Sequence, residues 1–126
     1  MYQILAIGLG GMAGTLTRYY VQNWAHSFFP NALVAAGTLT VNMMGCFFIG
    51  LCSYWMQAKG LAGTALWMFL ITGVMGGFTT FSTFGLESFQ YLKSGMTLNG
   101  IANIVVQVTL GLTMVWAGEK LAEIIL

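Results

Sequence analysis

The sequence predicts an all-α membrane protein with four transmembrane helices, and three observations lead to this prediction. Of the 126 residues, 58% are hydrophobic and only 6% are charged, whereas soluble domains carry about 25% charged residues. The length suits four apolar spans of about 20 residues each with short connections. Glycine occurs 17 times, which is typical of helices that pack closely in lipid.

The predicted spans form one transmembrane domain that covers the whole chain, with boundaries near residues 2–21, 32–56, 64–91 and 98–121. In the first span, Gly10 and Gly14 are four residues apart and offer a flat face to another helix. Arg18 follows near the end of this span. It is either an interfacial residue or a cation at a vestibule that attracts anions. The segment 22–31 is predicted to be a loop.

The second span carries Thr38 and Asn42, which lie four residues apart and therefore share one helical face. An amide inside a membrane is costly unless it meets a polar partner. Two interpretations of Asn42 are open. It either forms a hydrogen bond that links two helices, or it lines a polar track and offers N–H donors to an anion.

The third span is predicted to be broken at Gly76-Gly77. A straight helix of about 28 residues would be about 42 Å long, which exceeds the hydrocarbon core of about 30 Å. After the glycine pair, the sequence FTTFSTF places four hydroxyl side chains among three phenylalanines. A break exposes carbonyl groups at one half-helix end and amide groups at the other, and these suit a cation and an anion, respectively.

Two phenylalanines after the predicted break, Phe81 and Phe84, are three residues apart and share a helical face. Such a pair is ordinary packing in most membrane helices. Beside a break, however, the positive ring edges could meet a small anion without holding it tightly, as conduction requires. Glu87 follows one turn later, and a structural role is favoured because a bare carboxylate would repel an anion.

The last span contains a polar stripe, since Asn103 and Gln107 are four residues apart. They indicate either hydrogen bonds between helices or a second polar track. The charges of the chain are also balanced across the predicted membrane, because Lys59 and Lys120 lie on one side and Arg18 and Lys93 lie near the other. The positive-inside rule therefore gives little orientation, and two oppositely inserted copies could pair about a two-fold axis.

Several classes of function are excluded or disfavoured by the residues. The chain has no basic surface for nucleic acid. It also has no Ser/His/Asp set, metal-ligand spacing or phosphate loop, so an enzyme is not expected. The main alternative is a small dual-topology multidrug exporter of cationic compounds, but the first span lacks the carboxylate that such exporters need. A purely structural subunit would leave the broken third span unexplained.

Three segments of the chain resemble the Fluc (CrcB) fluoride channels. These are GTLTRY at 14–19, GTLTVNMMG at 37–45 and GVMGGFTTFSTFGLE at 73–87. The GGxTTFSTF run is highly specific, and the length and number of spans match over the whole chain. The resemblance implies an antiparallel dual-topology homodimer whose two pores export fluoride passively across the plasma membrane, the inner membrane of a bacterial cell. This activity would protect the cell from fluoride.

The resemblance also implies roles for individual residues. Phe81, Phe84 and Asn42 would line the fluoride pore. Ser82, Thr83 and Thr38 would lie along or beside the ion path, and Arg18 would lie near the vestibule. A structural sodium ion at the dimer interface would be held by the backbone carbonyls of Gly76 and Thr79. In the last span, Asn103, Gln107 and Gly111 depart from the residues common in the family, so the groups lining that end of the pore stay open.

Overall fold

The computed structural model describes residues 1–30 and 32–126, which are helical apart from short connections and contain no strand. Asn31, the last residue of the predicted first loop, lies outside the described residues. The third span consists of several consecutive pieces, and its second segment is π-helical. In chain order the helical segments are Tyr2–Phe28, Ala36–Ala58, Ala65–Trp67, Met68–Met75, Gly76–Phe78, Phe81–Lys93 and Thr97–Ile125.

The first helix is longer than predicted, because it continues through Gln22 and ends at Phe28. The predicted start of the first loop was therefore wrong. Between residues 22 and 28 there is no glycine or proline to interrupt the helix. The helix stops at Phe29, which has φ −130° and ψ 58°. Phe29 precedes Pro30, and a residue before proline is driven away from the helical region.

Within the described residues, three helical stretches are long and apolar enough to cross a membrane, namely Ala36–Ala58, Ala65–Lys93 and Thr97–Ile125. The first helix has 27 residues but is less apolar, since Gln3, Arg18 and its glycines lower its hydropathy. Large apolar side chains dominate the surface of the protein. Such a surface belongs in lipid or against another chain, so the predicted helical membrane fold is confirmed.

Glycines bring the helices into backbone contact. The second and last helices pack along each other, and a Cβ at Gly50 or Gly118 would collide with a carbonyl oxygen of the opposite helix. The first helix packs against the π-helical segment, where a Cβ at Gly73 would lie 2.9 Å from the Gly10 Cα. Small residues thus allow the approach that holds helices together in lipid.

The break in the third span lies at Thr79-Thr80, so its predicted location at Gly76-Gly77 was wrong. Both glycines are helical, whereas Thr79 has ψ 159° and Thr80 has φ −145° and ψ 95°. Gly77 is needed for packing, since a Cβ there would lie 2.6 Å from the Gly11 carbonyl oxygen. Thr80 starts the second half-helix by accepting the Thr83 N–H at its side-chain oxygen over 3.3 Å, as a threonine N-cap does.

Candidate ion path at the helix break

The side chain of Asn42 holds the broken backbone of the third span. Its Oδ1 accepts the Thr80 N–H over 2.9 Å, and its Nδ2 lies 3.4 Å from the Thr80 carbonyl oxygen. The same Nδ2 donates to Gln107 Oε1 over 2.7 Å. Asn42 therefore supplies the partner that the Thr80 N–H loses at the break, and it links three helices at one point.

A groove of about 290 Å³ opens beside this point. Phe81 is 82% exposed. The centroid of its ring lies 5.5 Å from that of Phe84, and the two planes meet at 61° in an edge-to-face arrangement. Aromatic rings and amide groups thus border the same groove. Its lining consists of Asn42, Met43, Cys46, Ile49, Thr79, Thr80, Phe81, Phe84, Gln107 and Val108.

A second series of hydrogen-bonded polar side chains crosses the helix bundle away from this groove. Gln22 Nε2 donates to Thr38 Oγ1 over 3.2 Å, and the Thr38 hydroxyl donates to Glu87 Oε1 over 2.7 Å. Glu87 Oε2 is buried and has no hydrogen-bond partner among the described residues. Glu87 also lines a cavity of about 420 Å³ together with His26 and Tyr91, so this chain ends at a separate opening of the bundle.

Asn103 is fully buried and occupies a network of its own. Its Oδ1 accepts the Ala35 N–H over 3.3 Å, and its Nδ2 donates to Ser88 Oγ over 2.9 Å. The Ser88 hydroxyl in turn donates to the Phe84 carbonyl oxygen over 2.8 Å. Asn103 therefore connects the last helix to the second half of the third span, and neither Asn103 nor Ser88 belongs to the groove lining.

The structure distributes the residues predicted for the site over three places. Asn42, Phe81, Phe84 and Gln107 line the groove, Thr38 and Asn103 lie in the two buried networks, and Thr83 accepts the Thr80 hydroxyl over 2.6 Å. Ser82 is exposed, and Arg18 is half-buried without lining the cavity at Glu87. Their roles in the ion path stay predictions.

Two polar residues of the site escaped the sequence analysis. Gln22 was assigned to a loop, although it lies one turn after Arg18 on the continuing first helix. Ser88 follows Glu87 directly and was overshadowed by the carboxylate. The sequence did contain a signal for Ser88. Serine hydroxyls in helices often donate to the carbonyl one turn earlier, and Ser88 donates to the carbonyl of Phe84 in this way.

The break also leaves carbonyl oxygens without their helical partners. The Thr80 N–H would close the next helical turn on the Gly76 carbonyl, but it donates to Asn42 instead. The Thr79 carbonyl lies in the extended link between the two half-helices. No group of three or more His, Cys, Asp or Glu side chains that could hold a metal occurs in residues 1–30 and 32–126.

An apolar helical chain with an interrupted membrane helix and amide groups gathered at the interruption is typical of integral membrane proteins that pass a small ion. Residues 5–119 match the family described as CrcB-like protein, Camphor Resistance (CrcB), and the chain belongs to that family. The resemblance noted in the sequence is thereby confirmed.

The chain is similar to several proteins named as fluoride channels. It is 39% identical over 122 residues to "Fluoride-specific ion channel FluC 3" of Methanosarcina barkeri, a match that covers 97% of this chain and 91% of that relative. It is 40% identical over 119 residues to "Fluoride-specific ion channel FluC 1" of Methanosarcina acetivorans, covering 94% and 89%. It is 42% identical over 125 residues to "Fluoride-specific ion channel FluC" of Rhizobium meliloti, covering 96% of each.

Proposed function

We propose that this protein is a fluoride-selective channel that lets fluoride leave the cell passively across the plasma membrane and so reduces fluoride toxicity. The observation that carries the proposal is the groove in which Asn42 clamps the helix break beside Phe81 and Phe84. The relatives are named as fluoride channels. They are not named as enzymes, in agreement with the expectation that this chain has no enzymatic activity.

The chemistry of the groove suits a small, strongly hydrated anion. Ring edges carry partial positive charge and attract an anion more weakly than an arginine would. Amide N–H groups replace part of the lost hydration shell. Together they allow entry without preventing exit. The one carboxylate of the third span, Glu87, lies outside the groove lining and accepts from Thr38.

The proposed channel has four spans, in which the first helix also crosses the membrane. Its 27 residues correspond to about 40 Å at 1.5 Å per residue, and this helix packs along the π-helical segment of the third span.

We also infer an antiparallel homodimer in the lipid bilayer. Phe81 is 82% exposed in the single chain. The balanced charges favour neither orientation of the chain in the membrane. Crosslinks compatible only with parallel subunits would contradict this arrangement.

We further propose that a structural sodium ion lies where two copies meet, held by the carbonyls of Gly76 and Thr79. The donor set supports a hard cation, which prefers oxygen ligands. The Gly76 carbonyl is left without its next helical donor because the Thr80 N–H bonds to Asn42. Such an ion would offset the partial negative charge at the end of the first half-helix. Replacing sodium by a large organic cation should lower the thermal stability of the dimer.

The proposal also assigns roles to three further residues, Arg18, Ser82 and Thr83. Arg18 would draw anions toward the vestibule, and the exposed Ser82 together with Thr83 would lie beside the path. Thr38 would act through Glu87, to which it donates. These roles predict graded losses of efflux on substitution rather than complete failure, because none of these four residues lines the groove.

Efflux from liposomes tests the proposed function. Purified protein is reconstituted into liposomes loaded with potassium fluoride or potassium chloride, and a potassium ionophore is added at constant pH. The proposal expects rapid loss of fluoride, no loss of chloride beyond protein-free liposomes, and no need for a proton gradient. Absence of fluoride loss from liposomes that contain folded dimer would contradict it, and equal loss of chloride would remove the selectivity.

A further inference from the structure

The first helix supplies a hydroxyl group to the carbonyl end of the broken span. In a continuous helix the Phe81 N–H would donate to the Gly77 carbonyl, but no such bond occurs among the described residues. The Thr15 hydroxyl donates to that carbonyl instead, over 3.4 Å. Thr15 therefore satisfies an acceptor at the break, just as Asn42 satisfies a donor there, the Thr80 N–H.

Close backbone packing fixes the first helix against this turn. A Cβ at Gly14 would lie 2.9 Å from the Phe78 nitrogen, and a Cβ at Gly77 would lie 2.6 Å from the Gly11 carbonyl oxygen. Both contacts lie within one helical turn of Thr15, so its hydroxyl keeps a defined place beside the last turn before the break. The bond to Gly77 is thus made by a rigid neighbour rather than by a mobile side chain.

The bonded carbonyl lies beside the oxygens that are proposed to hold sodium. The Gly76 carbonyl lacks its helical donor, because the Thr80 N–H is bonded elsewhere. The Thr79 carbonyl lacks its donor too, because the Thr83 N–H donates to Thr80 Oγ1. Between them, the Gly77 oxygen faces the first helix. The orientation of the peptide group that follows Gly76 is therefore fixed at its next carbonyl.

We infer that Thr15 is a positioning residue for the sodium site, because its hydroxyl holds the Gly77 carbonyl and thereby the adjoining Gly76 carbonyl. The inference rests on the sodium ion of the proposed function and adds a side chain of the first helix to that site. Ligands that are already in place cost less to order when an ion binds. Without the hydroxyl, the ion itself must order this turn, and its affinity falls.

Three substitutions separate the hydroxyl from the rest of the side chain. Thr15→Val keeps the branched shape and removes the hydroxyl, whereas Thr15→Ser keeps the hydroxyl. Thr17→Val is the matched control, because Thr17 is also exposed on the first helix but donates within that helix, to the Ala13 carbonyl over 2.9 Å. Thr15 is exposed in the single chain, so valine leaves no buried cavity and the dimer should form.

The dissociation constant for sodium is measured from the rise of the thermal midpoint of the purified dimer with sodium concentration. N-methylglucamine replaces sodium, so that the ionic strength stays constant. We expect Thr15→Val to raise the dissociation constant about fivefold, as the loss of one typical hydrogen bond predicts. Thr15→Ser and Thr17→Val should match the wild type. A purely structural role of Thr15 would lower the midpoint at every sodium concentration without changing the dissociation constant.

The outcomes distinguish the inference from the proposal on which it rests. A wild-type dimer whose midpoint does not respond to sodium contradicts the sodium site, and the inference falls with it. A wild-type response with an unchanged dissociation constant in Thr15→Val contradicts the inference alone. An equal increase in Thr17→Val, or in Thr15→Ser, also contradicts it, since the hydroxyl of Thr15 would then not be the cause. If Thr15→Val forms no dimer, Thr15→Ala is judged by the same criteria.

Discussion

Replacing Asn42 by aspartate tests the groove with the smallest change of shape. The substitution exchanges the Nδ2 donor for an oxygen, which would face Gln107 Oε1 at the present 2.7 Å. The bond from the Thr80 N–H to Oδ1 would be kept. Rotation of the Gln107 amide would relieve the contact by presenting its N–H to the new carboxylate, so the fold should survive with a modest loss of stability.

The larger effect of this substitution is electrostatic. At about 5 Å and an effective dielectric constant of about 20, a carboxylate and fluoride repel each other by about 3 kcal/mol. Each 1.36 kcal/mol corresponds to a factor of about ten in rate. We therefore expect Asn42→Asp to slow fluoride efflux about 100-fold. Higher ionic strength should recover little of this loss, because a partly buried pair is weakly screened.

The assay is fluoride loss from liposomes, with dimer content checked by size-exclusion chromatography. Asn99→Asp is the matched control, since Asn99 also donates to a carbonyl, that of Leu33 at 2.9 Å, but it does not line the groove. The control should conduct like the wild type. Fluoride efflux by Asn42→Asp that stays within about threefold of the wild type would be a far smaller reduction than the repulsion predicts. This result would refute the anion-binding role of Asn42 and leave it as a link between helices.

Two further predictions concern the rings and the helix packing. Phe81→Ile or Phe84→Ile removes a ring edge but keeps an apolar side chain, so fluoride efflux should be abolished while the dimer forms. Phe89→Ile is the control and should conduct normally. Normal efflux in both Phe81→Ile and Phe84→Ile would show that these rings do not line the path. Gly10→Val should lower the unfolding free energy by about 1–3 kcal/mol, because a Cβ there would collide with the Phe69 carbonyl oxygen and lie 3.0 Å from the Gly73 Cα. In the control Gly8→Val the added Cβ meets nothing within 4 Å, and an equal loss of stability in that control would contradict the packing argument.

Composition and periodicity were sufficient to predict the class of fold and the segment that carries the site. The shortage of charge required a membrane helix bundle, and the FTTFSTF run identified the interrupted span. The position of the interruption could not be predicted, because glycine has two uses in membrane helices. At Gly77 the missing Cβ serves the contact with Gly11, while Thr79 and Thr80 form the break.

The hydrogen-bond partners of the buried polar side chains could also not be predicted from the sequence. Thr38 and Asn42 share a helical face, as predicted, yet they bond to different parts of the third span. Thr38 donates to Glu87, whereas Asn42 clamps Thr80. The polar stripe of the last helix divides in the same way, since Gln107 lines the groove and Asn103 lies in a closed network. Spacing identifies a face but does not say what each residue on that face meets.

The most direct test of the central claim is the reversal potential of the purified protein in a planar bilayer, with fluoride at different concentrations on the two sides and chloride equal. A fluoride-selective passive pore predicts a reversal potential that moves by about 59 mV for each tenfold fluoride gradient. Imposing a chloride gradient or a pH gradient should not move it. A reversal potential that follows chloride or protons would contradict the account, as would the absence of any current from folded protein.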